Sequence, residues 1–130
     1  MARPKSEALT PLELEIMHVL WGSGPANVQS VQKALKRDLA YTTVQTMLNI
    51  LHRKGRVKRS LHDRAYVYKP AVSRKKALGD MVGEMVEKMF GGSAESLVLS
   101  LVDAKRLTPE KLERLKKMVE QAQGDDDAKR

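Results

Sequence analysis

The sequence predicts a mainly α-helical protein with one small β-hairpin: an N-terminal lobe that contains the hairpin, then a lobe of helices alone. Three observations support this. Residues 10–54 carry three apolar repeats of helical spacing, separated by a Gly-Pro break and a charged interruption. Residues 57–69 switch to short alternating runs around a charged tip. From residue 73 the helical spacing returns, in longer stripes rich in methionine.

The first helix opens at Thr10-Pro11-Leu12-Glu13. Thr10 can cap it, Pro11 suits a first position whose N–H would go unused, and Glu13 can close a capping box. Leu9 and Leu14 stand where a hydrophobic staple places them. Leu12, Ile16, Val19 and Leu20, flanked by Met17 and Trp21, make this helix largely buried, with His18 at the core edge. Gly22-Ser23-Gly24-Pro25 ends it. A second helix starts near Asn27, buries Val28, Val31 and Leu35, and fades at Lys36-Arg37-Asp38. A third runs from about Thr42 to Lys54, is closed by Gly55, and buries Val44, Leu48 and Leu51 with Met47 on the flank. Its other face carries Thr42, Gln45, Thr46, Asn49 and Arg53, hydrogen-bonding groups without charge until the final base. Two strand-like runs, 57–61 and 65–69, then flank His62-Asp63-Arg64. Three helices followed by a hairpin describe a winged helix-turn-helix, whose third helix enters the major groove of DNA while the hairpin lies along the backbone.

Beyond Ser73, Leu78, Met81, Val82, Met85, Val86, Met89 and Phe90 form a sustained amphipathic stripe that Gly91-Gly92 stops. A short apolar run, Leu97-Val98-Leu99-Ser100-Leu101-Val102, follows. Leu107-Thr108-Pro109-Glu110 repeats the opening device of the first helix, and Leu112, Leu115, Met118, Val119 and Ala122 stripe the last one. The expected division is a DNA-binding domain at 1–72, a helical dimerisation domain at 73–123 and a flexible tail at 124–130. A lobe of about 50 residues is near the size at which a lone core is marginal, and an exposed methionine row of this length would aggregate. The row could pack onto the N-terminal lobe, but a symmetric second copy suits the linear layout better, because a twofold interface buries the same stripe twice. Pairing is therefore expected through Leu78, Met81, Val82, Met85, Met89, Phe90, Leu97, Leu101, Leu112, Leu115 and Met118.

Charge sharpens the division. The 130 residues carry a net charge of +8, with a sequence pI of about 9.8. Residues 1–75 hold +9 and residues 76–130 hold −1. Residues 53–75 alone contain nine bases and one acid, Asp63, so the excess lies at the end of the third helix and in the hairpin. A polyanionic partner is expected at that end of the chain.

Several classes are excluded. Without cysteine there is no disulfide, thiolate metal site or cysteine nucleophile. His18, His52 and His62 lack ligand spacing, no phosphate-cradling glycine loop occurs, and the serines have no positioned base. Neither an enzyme, a metal nor a cofactor is expected. No apolar run approaches a membrane span, and residues 1–7 lack the apolar segment of a signal peptide, as expected of a soluble, cytoplasmic protein.

Three stretches in order carry a family resemblance: Leu9-Thr10-Pro11-Leu12-Glu13 with Met17 and Leu20-Trp21; Tyr41-Thr42-Thr43-Val44-Gln45-Thr46-Met47-Leu48 with Lys54-Gly55; and Gly91-Gly92-Ser93 with Ser96-Leu97-Val98-Leu99. Over residues 9–121 the chain resembles the BlaI/MecI/CopY penicillinase-repressor family of winged-helix transcriptional repressors. The resemblance implies a dimer on a dyad operator upstream of resistance or stress genes. In the β-lactam branch it implies a membrane-embedded sensor protease as partner, and cleavage within the short helix of the dimerisation lobe. The matching bond here is Ser100–Leu101, where staphylococcal members carry an Asn–Phe pair. The copper branch uses a C-terminal cysteine motif that this chain lacks. Ile50 stands where the family often has arginine.

On this reading Thr42, Thr43, Gln45, Thr46 and Asn49 read base edges and nearby phosphates, since Gln or Asn can pair with adenine and threonine can touch a thymine methyl. Arg53, Lys54, Arg64 and Lys69 grip phosphates, and Tyr41 supports the helix entry or touches the backbone. The competing classes are a non-specific architectural DNA-binding protein and an adaptor whose basic hairpin binds an acidic protein.

Overall fold

The computed structural model describes residues 8–128. Residues 1–7, where the absence of a leader segment was read, and residues 129–130 at the end of the expected tail lie outside them. The elements are α1 (Pro11–Ser23), β1 (Ala26–Asn27), α2 (Val28–Ala34), α3 (Tyr41–Arg53), β2 (Val57–His62), β3 (Ala65–Pro70), α4 (Arg74–Met89), α5 (Ala94–Asp103) and α6 (Pro109–Ala128). The chain divides into two compact units, Met1–Met81 and Val82–Arg130.

In the first unit the expected start of α1 is realised in full. Glu13 N–H donates to Thr10 Oγ1 at 3.2 Å and Thr10 N–H donates to Glu13 Oε1 at 2.8 Å, closing the capping box. Gly24 ends the helix at φ +85°, a backbone conformation that suits glycine. Asn27 caps α2 through Oδ1, which accepts from Ser30 N–H at 2.8 Å. The core is built from Ile16, Met17 and Leu20 of α1, Val28 and Val31 of α2, and Val44, Leu48 and Leu51 of α3, closed by Val57 and Tyr68 of the sheet. Each fully buried aliphatic side chain of this kind contributes about 1.5–3 kcal/mol. His18, expected at the core edge, is exposed and meets Trp21 edge-on, with ring centroids 5.5 Å apart.

The sheet holds one strand more than the hairpin expected. Ala26 and Asn27 pair antiparallel with Tyr68 and Val67, giving the order β1-β3-β2. Two residues are too short to show a period-two pattern in sequence. In the hairpin Arg59 stands opposite Tyr68 and His62 opposite Ala65, which leaves Asp63 and Arg64 as a two-residue turn. Both have positive φ, +49° and +70°. Strand twist favours this arrangement and Asp63 suits its first position, but an arginine at the second, where glycine is usual, is unusual.

The first turns of α4 belong to the N-terminal unit. Trp21 Nε1 donates to the Val72 carbonyl at 3.0 Å, Ala77 is buried, and Met81 packs on the core. The units thus divide inside α4 and not at residue 73. Met81, counted in sequence with the pairing residues, is occupied in this packing, and Leu78 is half-buried.

The second unit contains the rest of α4 with α5 and α6. Gly91 and Gly92 end α4 at positive φ, and Gly92 N–H reaches back to the Val86 carbonyl at 2.9 Å. Ser93 caps α5, accepting from Ser96 N–H at 3.0 Å. Leu107 is its one buried apolar side chain among the described residues. The last helix runs through Gly124 to Ala128, into the segment that the sequence suggested as a flexible tail. An interior glycine costs about 1 kcal/mol relative to alanine, which weakens a helix without ending it.

The strained turn yields a stability prediction. Asp63→Asn combined with Arg64→Gly, which installs the dipeptide favoured at such turns, is expected to raise the unfolding free energy by about 1 kcal/mol. Urea denaturation measures it; an unchanged midpoint would mean that neither residue is strained there.

Candidate nucleic-acid interface

The third helix has no side-chain cap, because Ala40 precedes it. It is seated by other means. Val44, Leu48 and Leu51 are fully buried on one face. In the turn before the helix, Gln32 Nε2 donates to the Leu39 carbonyl at 2.9 Å. At the far end Lys54 Nζ donates to both Glu13 carboxylate oxygens, at 2.9 and 3.1 Å, and to the Ala8 carbonyl at 3.4 Å. Glu13 is 1% exposed. Burial alone would raise its pKa. The Thr10 N–H, the Lys54 ammonium and the Thr10 hydroxyl outweigh that and hold the carboxyl below its ordinary value of 4.5.

Lys54 was grouped in sequence with the phosphate grips. In the structure its ammonium is engaged inside the protein, and a phosphate could claim it only by breaking the pair with Glu13. Nothing in the local sequence signals the pair, which joins residues 41 positions apart.

The remaining α3 residues are placed as their spacing suggests. Thr42, Thr43, Gln45, Thr46, Asn49 and Arg53 are all exposed, and Tyr41 stands exposed at the helix entry. Tyr41, Gln45 and Arg64, with Asn27, Tyr66 and Tyr68, line a groove of about 390 Å³ between the start of α3 and the wing. Arg64 sits at the wing tip, so the fold brings one predicted base to the uncharged helical face. Lys69 is not brought there. Strand side chains alternate, and Lys69 lies on the face opposite Tyr68, beside Lys58 in register.

Arg59, Tyr66 and Tyr68 were missed as site residues. Arg59 Nη1 donates to Asn49 Oδ1 at 3.1 Å, and the Tyr68 hydroxyl donates to the same oxygen at 3.3 Å. The Arg59 guanidinium carbon lies 4.2 Å from the Tyr66 ring centroid. The signal was available: alternation from the buried Val57 puts Arg59 on the inner face of its strand, an unusual place for a base.

The arrangement offers an exposed row of neutral donors and acceptors beside a basic wing. Such a surface can enter a groove and hydrogen-bond base edges while cations meet the backbone. In the second unit Val82, Met85, Met89, Leu101, Leu112, Leu115 and Met118 are exposed, Met89 to 73%, while Phe90 and Leu97 are half-buried. Ser100–Leu101 lies inside α5. Among the described residues no helix is long and apolar enough to cross a membrane.

The family model described as penicillinase repressor matches residues 9–121. The chain is 26% identical over 119 residues to a penicillinase repressor of Bacillus licheniformis, covering 90% of this chain and 93% of the relative. It is 36% identical over 103 residues to the transcriptional regulator BlaI of Mycobacterium tuberculosis, covering 76% and 75%. Among solved structures, MepR, a transcription regulator of the Staphylococcus aureus multidrug efflux pump MepA, is similar with a TM-score of 0.51 at 18% identity. That likeness covers 90% of this chain and 79% of MepR and is one of fold.

The Glu13–Lys54 pair makes a prediction with a sign. A carboxyl held below its ordinary pKa stabilises the fold fully above pH 4.5 and loses that contribution as the pH falls through the lower folded value. Lys54→Met is expected to cost about 3–5 kcal/mol at pH 7, because it strands a buried carboxylate, and less at pH 3. Urea unfolding at both pH values checks this. A variant as stable as its parent but weaker on DNA would return Lys54 to the phosphate contacts.

Proposed function

Because the chain belongs to the penicillinase repressor family, we propose that it is a dimeric transcriptional repressor of the BlaI/MecI type that binds a palindromic operator and occludes the promoter. The observation that carries this reading is the exposed, uncharged face of α3 beside the basic wing. A non-specific DNA-coating protein has little use for such a face, because backbone binding needs only cations. Thr42, Gln45 and Thr46 are the proposed readers of base edges. Arg53 and Arg64 are the proposed phosphate contacts, with Lys69 reaching the backbone from the wing's far side.

Pairing is assigned to the apolar rows of α4 and α6, which the second unit leaves exposed. A second copy of the chain would cover them on a twofold axis. Two heads on that axis would meet half-sites about one helical turn apart. Relief of repression is assigned to cleavage at Ser100–Leu101 after activation of a membrane sensor protease. The Leu101 carbonyl accepts from Arg106 N–H at 2.9 Å and Leu107 N–H at 3.2 Å, so the helix must unwind locally before a protease can engage the bond. Cutting there would detach α6, with Leu112, Leu115 and Met118, from α4.

Competition binding with the chain's own upstream promoter DNA against random duplex tests the repressor reading. A preference of about a thousandfold or more is expected, and equal binding would favour the architectural alternative. Gln45→Ala is expected to cost about 1–3 kcal/mol on the operator and relax one position. Arg64→Ala should weaken all sequences and reduce the salt slope by about one; an unchanged slope removes Arg64 from the backbone contacts. In sedimentation the full chain is expected to be a dimer, and the chain cut after Ser100 a monomer that has lost its operator preference. If the cut chain still dimerises, cleavage there cannot be the release step.

A further inference from the structure

Asn49 is exposed on the outer face of α3, yet its amide is not free to turn. Its Oδ1 accepts from Arg59 Nη1 at 3.1 Å and from the Tyr68 hydroxyl at 3.3 Å. A guanidinium has donors only, so the amide oxygen and not the nitrogen must face Arg59. Two donors also fill both lone pairs of that oxygen. Arg59 is itself held, stacked 4.2 Å from the Tyr66 ring centroid and paired in register opposite the buried Tyr68. The two tyrosine rings lie 6.2 Å apart and brace each other. What Asn49 retains for a ligand is Nδ2, two N–H donors and no acceptor.

An adenine edge asks asparagine for both functions, an acceptor for N6–H and a donor to N7. A guanine edge offers two acceptors, O6 and N7. Resting on the repressor reading above, we infer that Asn49 reads a guanine edge as a donor alone, and that Arg59 is the positioning residue that bars it from adenine. This replaces the adenine pairing that residue type alone suggested.

Asn49→Asp is the informative variant, because a carboxylate keeps the acceptor for Arg59 and Tyr68 and replaces the outward donors with a charged acceptor oxygen. The protein and the variant are each used to select duplexes from a randomised DNA library. The unchanged protein is expected to select guanine at one position of each half-site. Asn49→Asp is expected to select cytosine there, whose N4 amine can donate to the carboxylate, with a preference changed by about tenfold or more. The variant's Tm should be equal or higher. Arg59→Leu, which frees one lone pair of the amide oxygen while the Tyr68 hydroxyl keeps the other, should admit adenine at the same position; a merely structural Arg59 would lower the Tm and leave the base preference unmoved, and that result overturns its role. Adenine selected by the unchanged protein at the responsive position overturns the inference. A base preference that Asn49→Asp leaves unmoved, with the same loss on every sequence, also overturns it, since the carboxylate then acts only by repelling the backbone. If the unchanged protein enriches no sequence, the repressor reading itself fails.

Discussion

The carboxylate of Glu13 stands where the start of the first helix meets the end of the third. It accepts from the Thr10 N–H that opens α1 and from the Lys54 ammonium that follows α3. Left alone in that position, the charge would cost several kcal/mol through lost hydration. Any seating of α3 that separates the pair is therefore disfavoured, whereas Val44, Leu48 and Leu51 alone would tolerate some sliding along an apolar surface. An uncapped helix entry at Ala40 makes the anchoring at the other end matter more. The exposed row of α3 inherits its direction from this pair.

A second polar arrangement acts on the opposite side of the same helix. Asn49 joins α3 to the wing through Arg59 and Tyr68, and Arg59 is held in turn over Tyr66. Helix and hairpin are thus connected by side chains that run from the buried Tyr68 to the exposed Asn49. The wing tip does not share that support. Asp63 and Arg64 adopt positive φ in a two-residue turn, placing an arginine at the extreme of the hairpin at some conformational cost.

Much of this was legible in the residues themselves. The capping box at Thr10, the glycine breaks, the buried and exposed faces of α3 and the limits of the hairpin all follow from local chemistry, where one or two residues decide the outcome. Less local features were not legible. Lys54 looked like one more base in a basic run until its partner, 41 positions away, was in view. Arg59 was passed over among its charged neighbours, although strand alternation places it inward. Lys69 looked equivalent to Arg64, yet alternation sends it to the other face of the hairpin. The two-residue strand β1 is created by pairing and has no signature of its own.

By itself, the sequence determined which segments are helices and which form the hairpin, where the positive charge concentrates and which helical face is neutral, because these depend on propensities and periodicities within a few residues. It also carried the three stretches that mark the family. The tertiary structure decided that Lys54 and Arg59 are engaged inside the protein, which way the Asn49 amide points, and that the first turns of α4 belong to the N-terminal unit. Those are properties of pairs: a hydrogen bond or an ion pair forms only when folding brings two distant groups within about 3 Å, and no local pattern encodes that distance.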